Sequence, residues 1–362
     1  MPTNINEEHL YWLAFNAVQG IGPKRFALLT NYFGSAKNAW LAPENKLQQI
    51  GLQEKLIGKL INFRKNFDPH SYNLRLANYN IKPIFIDDKN YPKNLKNIDD
   101  APFVIYVKGE LKSEDQKAIG VVGSRKMTGY GYQVTQDLVK KLANSGLTII
   151  SGLARGIDSA AHKATLEVSG RTIAVLGCGL DLIYPPENLG LAKQISDGHG
   201  ALISEYPLGA PAIPFNFPAR NRIISGLSLG VLVVEGAADS GSMITATDAV
   251  NQGREVFAVP GPITSPTSAG PANLIKMGAK LVWDVDDILN EFKIDSVNNC
   301  TKVYTAESKE EEIILSLLEK EPLQMDEIIR QTGMDSGTIS SSVSILELKG
   351  VVKNYDGKYI LI

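Results

Sequence analysis

The segment Phe215-Asn-Phe-Pro-Ala-Arg-Asn-Arg-Ile-Ile-Ser225 sets two aromatic rings and two guanidinium groups close together. Phe217 precedes Pro218 on a loop, and Arg220, Asn221 and Arg222 open the helix that follows. An exposed ring can stack an unpaired base, a contact worth ~1–3 kcal/mol, while arginines take the flanking phosphates. The same composition has a structural alternative. In it, Phe215 and Phe217 plug the core, and the arginines pair with acids such as Glu205 and Glu235.

Glycine-rich turns form the second set of chemical candidates. They are Gly123-Ser-Arg-Lys-Met-Thr128, Ser151-Gly-Leu-Ala-Arg-Gly-Ile-Asp158, Gly177-Cys-Gly179 and Glu235-Gly-Ala-Ala-Asp-Ser-Gly-Ser-Met243. Glycine admits a ligand close to the backbone, and a helix N-terminus presents unpaired N–H groups with partial positive charge. These turns are phosphate cradles in principle, although a glycine between strand and helix often serves only the turn. No GxGxxG follows the first strand, where a bulky cation stands in place of glycine, and no GxxxxGK[ST] loop occurs. A dinucleotide enzyme and a P-loop ATPase are therefore disfavoured. Arg125, Lys126, Arg155, Arg220 and Arg222 beside glycine turns suit a repeated phosphodiester backbone, and so a single strand of nucleic acid. No metal or other cofactor is implied: Cys178 and Cys300 lie far apart, and Cys178 reads as a small semi-buried residue. His162, four residues after Asp158, could suggest acid–base work but more often makes a structural hydrogen bond.

The elements that must position these residues are legible from periodicity. Apolar, β-branched runs at Ile119–Val122, Leu147–Ile150, Thr172–Leu176, Ala201–Ser204, Val231–Glu235, Glu255–Val259 and Lys280–Trp283 alternate with helical segments. This predicts an α/β fold with a Rossmann-like, doubly wound, mostly parallel sheet, in which ligands bind beyond the carboxyl ends of the strands. Val18 to Leu29 reads as a helix-hairpin-helix, with a degenerate copy at Ile50 to Leu56. Lys24 and Arg25 stand where such a hairpin meets a phosphate, and a ligand-free packing module is the alternative. Helix signals at Glu310–Glu319, Met325–Gln331 and Ser336–Lys349, then a hairpin turning at Asp356-Gly357, predict a winged helix. The expected domains are a helical, helix-hairpin-helix or SAM-like domain over 1–85 and an extended Rossmann-like fold over 86–290 with its core at 117–286. A linker over 291–308 and a winged helix over 309–362 complete the chain. The stretch Ile86 to Pro102 reads as linker-like.

The net charge of −2 conceals an uneven distribution. Residues 1–116 carry 15 basic and 12 acidic residues, residues 117–286 carry 14 and 13, and residues 287–362 carry 8 and 14. A polyanion site must then be a focused cluster of cations, and the acidic tail argues for a protein-contact or regulatory winged helix over unaided duplex binding. No apolar run approaches the ~18 residues that span a bilayer, and Met1–Leu10 lacks an export signal, so a cytoplasmic protein without a membrane partner is expected.

Taken together the motifs resemble the DprA/Smf family. They are Gly-Ser-Arg at 123–125, Ser-Gly-Leu-Ala-Arg-Gly-Ile-Asp at 151–158 and Asp181-Leu-Ile-Tyr-Pro-Pro186. Ser-Glu-Tyr-Pro at 204–207, Phe-Pro-Ala-Arg-Asn-Arg at 217–222, Ser-Gly-Ser-Met at 240–243 and Val-Pro-Gly at 259–261 follow in order. The resemblance implies a protein without catalytic residues that binds incoming single-stranded DNA in natural transformation, protects it and loads the RecA recombinase. By motif position the DNA-binding residues would be Gly123, Ser124, Arg125, Lys126, Gly152, Arg155, Phe217, Arg220, Asn221, Arg222, Ser240, Gly241 and Ser242. Some relatives carry a lysine where this chain has Pro214. The resemblance also implies a homodimer through the later Rossmann region, roughly Glu255 to Trp283. A Rossmann-like nucleotide-binding or phosphoribohydrolase-type enzyme is the rival reading, but the PGGxGTxxE pattern of such enzymes is absent.

Overall fold

The computed structural model describes residues 5–294, 306, 308–318, 321–355 and 357–361. The chain divides into two compact units, Met1–Ser296 and Val297–Ile362. Most of the expected linker over 291–308 lies outside the described residues.

The first unit opens with helices α1 (Glu7–Ala17), α2 (Pro23–Phe33), α3 (Ala36–Leu41), α4 (Glu44–Gln49), α5 (Glu54–Asn66) and α6 (Pro69–Asn78). Gly20, at φ +104°, turns the chain between α1 and α2, Ile21 is buried beneath the turn, and Pro23 takes the first helical position. Gly51, at φ +76°, makes the corresponding turn between α4 and α5.

Strand β1 (Ile81–Phe85), helix α7 (Lys93–Lys96) and strand β2 (Val104–Gly109) follow. Here the structure departs from the sequence reading. The stretch read as a linker packs Tyr91, Leu95 and Ile98 into the core, and β1 and β2 pair antiparallel across it. A boundary at residue 85 would cut that pair. The helical segment and this sheet edge also share one apolar cluster, in which Phe26 stacks on Phe103 with ring centroids 3.9 Å apart.

The alternation then runs β3 (Ala118–Val122), α8 (Gly129–Asn144), β4 (Thr148–Ser151), α9 (Ile157–Glu167), β5 (Thr172–Val175), α10 (Leu189–Gln194) and β6 (Gly200–Ser204). It continues with α11 (Asn216–Leu227), β7 (Gly230–Val233), α12 (Gly241–Asn251), β8 (Glu255–Ala258), α13 (Ala269–Lys276), β9 (Lys280–Leu281) and α14 (Asp286–Leu289). Among the described residues the strands form one nine-stranded sheet in the order β1-β2-β6-β5-β4-β3-β7-β8-β9. From β6 through β9 neighbouring strands are parallel, and β3 to β7 are buried throughout, because helices cover both faces. The two ends differ. Pro83 sits inside edge strand β1, whereas β9 is two residues long with Leu281 and Trp283 exposed beside it.

The strand order reverses between β3 and β7. Both neighbours are connected away from that point, so a crevice opens beyond their carboxyl ends.

The second unit holds α15 (Lys309–Leu318), β10 (Leu323–Gln324), α16 (Met325–Thr332), α17 (Ser336–Leu348), β11 (Val352–Tyr355) and β12 (Lys358–Leu361). The strands pair in the order β10-β12-β11 around a core of its own that includes Ile314, Ile328, Ile339 and Leu346. This is a winged helix. Asp356, in the expected turn, lies outside the described residues. No helix among the described residues is long and apolar enough to cross a membrane.

Candidate nucleic-acid interface

A pocket of about 640 Å³ occupies the crevice beyond β3 and β7. Loops that follow the sheet's parallel strands, together with α11 and the start of α12, build it. The first is the turn after β3, where Gly123 passes too close to Ile157 and the Glu235 carbonyl to carry a side chain. Lys126 N–H donates to Ser124 Oγ at 3.1 Å, closing this turn so that Arg125 and Lys126 stand exposed at the rim. Thr128 then caps α8, with Gly131 N–H donating to its hydroxyl. Glu235, 3% exposed, holds the same cap by accepting from Thr128 N–H at 2.9 Å and Thr128 Oγ1 at 2.6 Å. It pairs with neither arginine of the 215–225 segment.

Helix α11 supplies the floor. Arg220 is 3% exposed, and its Nε and Nη1 have no hydrogen-bond partner. Burial lowers its affinity for the proton; Asp158 opposes that effect, and nearby Arg125 adds to it. A guanidinium stays charged in a protein, so this is a desolvated cation beside a second cation. It can lie so deep because residue 152 is glycine: a Cβ there would fall inside the guanidinium. Asp158 fixes the loop beneath by accepting from Gly152 N–H at 3.1 Å, and burial raises its own pKa.

Phe217 is half-buried, with its ring against Gly177, where an added Cβ would stand 3.2 Å from Cδ1. The Arg125 guanidinium lies 5.5 Å from the ring centroid, and Tyr184 approaches at 5.7 Å and 40°. Across the pocket, α12 begins at Ser240–Gly241–Ser242. Ser240 Oγ contacts Ser242 Oγ at 2.6 Å instead of capping the helix, and Asn221 Nδ2 donates to Gly241 O at 3.3 Å.

Thus Gly123, Ser124, Arg125, Lys126, Phe217, Arg220, Asn221, Ser240, Gly241 and Ser242 line one pocket, with Gly152 beneath it. Two expected contacts are placed elsewhere. Arg222 is directed to the other side of α11, since residues two apart on a helix do not face the same way. It is paired there with Glu205 at 2.5 Å and Asp100 at 3.1 Å, with only 14% of its side chain exposed. Arg155 stands outside the pocket in an exposed ion pair with Glu187. The expectation of a free Arg222 on the pocket side is corrected accordingly: its charge serves the attachment of α11 to the end of β6.

Tyr184, within Asp181–Pro186, also lines the pocket, a placement that no local feature of its sequence signals. Phe215, one of the two rings that could have plugged the core, is 87% exposed. His162 is fully buried, with Nδ1 2.6 Å from Thr172 Oγ1, and burial lowers its pKa to about 3. Since the Thr172 hydroxyl donates to Ile149 O at 2.7 Å, His162 Nδ1–H is the donor to Thr172, and the ring is a neutral core group. Cys178 is likewise buried, its thiol pushed up to about 11 by desolvation, so it is not a thiolate at neutral pH.

The sequence profile of the DNA recombination-mediator protein A family matches residues 82–293, and that of the DprA winged helix domain matches 303–358. Protein Smf of Synechocystis sp. is 36% identical over 97% of this chain and 98% of its own length. The X-ray structure of DNA processing protein A from Streptococcus pneumoniae matches with a TM-score of 0.68 at 35% identity, covering 79% of this chain and 98% of that one. DNA processing protein A from Helicobacter pylori, solved to explain its single-stranded DNA binding mode, matches with a TM-score of 0.53 at 29% identity over 59% of this chain and 95% of that one. With the profile on the sheet that carries the pocket and the similarity running nearly end to end, the chain belongs to the DprA/Smf family of DNA-processing proteins.

Proposed function

We propose that the pocket beyond β3 and β7 binds single-stranded DNA. The observation that carries this reading is the Arg220 guanidinium, buried with two unpartnered nitrogens beside the second cation of Arg125. A desolvated cation without full hydrogen bonding is costly, and a phosphate at this floor relieves that cost. Arg125 and Lys126 at the rim and the start of α12 offer further phosphate contacts at separate points, which suits a chain of phosphodiesters better than one small anion. Phe217 and Tyr184 provide faces for bases that only an unpaired strand presents. The Helicobacter pylori relative, described for its single-stranded DNA binding, supports the same reading.

Within this reading the chain protects strands taken up in natural transformation and hands them to the RecA recombinase. It does so as a homodimer through residues 255–283, where Ile263, Met277 and Trp283 are almost fully exposed. The winged helix serves as a protein-contact module, consistent with its acidic charge.

A mobility-shift comparison of single-stranded and duplex oligonucleotides tests the proposal. Preferential retardation of the single strand, weakened in Arg220→Ala, is expected; equal affinity for duplex, or no effect of that substitution, contradicts it.

A further inference from the structure

Helix α11 separates two concavities. Pro214 and Phe217 line the pocket described above, whereas Ile213 and Asn216 line a groove of about 760 Å³ on the other side. The groove runs between the α1–α2 turn and the loop after β6, and its walls are tied together by Asn16 Nδ2, which donates to Glu205 O at 3.1 Å; the same loop is anchored to α6, where Tyr72 Oη accepts from Leu208 N–H at 2.9 Å. Phe215 lines neither concavity. It stands on the ridge between them at the N-cap of α11, 87% exposed, with no ring or cation contact among the described residues. A ring left in water removes almost no apolar surface from solvent and so contributes little to the fold.

We propose that Phe215 is a second base-stacking platform, over which the single strand passes from the pocket toward the groove. This rests on the single-strand reading of the pocket. Phe217 already has its ring engaged by Arg125, Tyr184 and the Gly177 backbone, so only part of its surface is open to a base. Phe215 offers a free face, at the rim, two residues along the same helix start. A strand held by phosphate contacts at Arg220 and Arg125 places its next nucleotides against that rim, and an aromatic face receives any base without regard to sequence.

The experiment measures affinity for an oligo-dT strand in wild type and in Phe215→Ala, Phe215→Leu, Phe215→Trp and Arg220→Ala. It is repeated with a strand whose bases are replaced by abasic sites. Phe215→Ala and Phe215→Leu are expected to weaken binding of oligo-dT by about 5- to 150-fold, and Phe215→Trp to preserve it. On the abasic strand wild type and Phe215→Ala are expected to be equal. If Phe215→Ala leaves affinity within about twofold while Arg220→Ala weakens it, the platform is refuted and the pocket stands. A deficit that persists on the abasic strand, or a leucine as good as phenylalanine, also refutes stacking. If neither Phe215→Ala nor Arg220→Ala weakens binding, the reading of the pocket itself falls.

Discussion

Arg220 rests on Gly152, its guanidinium filling the space that a side chain at 152 would take. The glycine therefore acts through the arginine. Gly152→Ala is expected to displace Arg220 and reproduce the binding defect of Arg220→Ala with an otherwise intact fold. Single-strand affinity measured beside circular dichroism checks this; full affinity in the folded variant would show that the close fit is incidental.

Salt titration separates the roles within the pocket. Each neutralised phosphate contributes about 0.7 to the slope of log K against log salt for a single strand. Arg125→Ala and Arg220→Ala should each flatten the slope by about that amount, whereas Phe217→Ala should weaken binding at every salt concentration with little change of slope.

Arg222 should behave unlike Arg220 although only one residue separates them. Its pair with Glu205 is largely buried, the two side chains being 14% and 15% exposed. Removing one partner of such a pair costs about 3–5 kcal/mol, because the other charge is left desolvated. Arg222→Ala should lower the unfolding midpoint markedly and leave the salt slope of the surviving folded fraction unchanged. Denaturant unfolding and a salt titration on the same preparation decide it.

His162 makes stability acid-sensitive. In the folded chain its pKa is pushed down to about 3 by burial, whereas the unfolded chain takes up this proton below about pH 6.5. Stability from this residue is complete above that range and falls as the pH drops toward 3. Between pH 7.5 and pH 5 the loss is roughly 2 kcal/mol. His162→Gln should be less stable at neutral pH but should lack this part of the pH dependence, as urea unfolding at the two pH values will show.

The winged helix has its own core, and the pocket draws only on residues before 269. A chain ending at residue 296 should retain single-strand affinity, and loss of binding on that truncation would move the interface to the tail.

The parallel strands were readable because each is a short apolar run bounded by glycine and followed by a helical period. β1 and β2 were not. Ile81-Lys-Pro-Ile-Phe85 contains proline, and the polar loop after it hides that Tyr91, Leu95 and Ile98 are core residues. β2 is held by pairing with β6, a contact remote in sequence, and β1 by pairing with β2 in turn. The pocket was legible to the level of its loops, since glycines and cations at strand ends are local signals. Which arginine enters it was decided by the rotation of α11, and which ring stays free was decided by Tyr184 and Gly177, neither of which adjoins the 215–225 segment.

The unequal ends of the sheet limit how copies of this chain can join. A strand interrupted by proline is a poor template for further pairing, and β9, two residues long with a lysine in it, is another, although Leu281 and Trp283 leave apolar side chains exposed there. Further backbone pairing is therefore disfavoured at both rims, and copies that met at the β9 end would do so through side chains instead of an added strand.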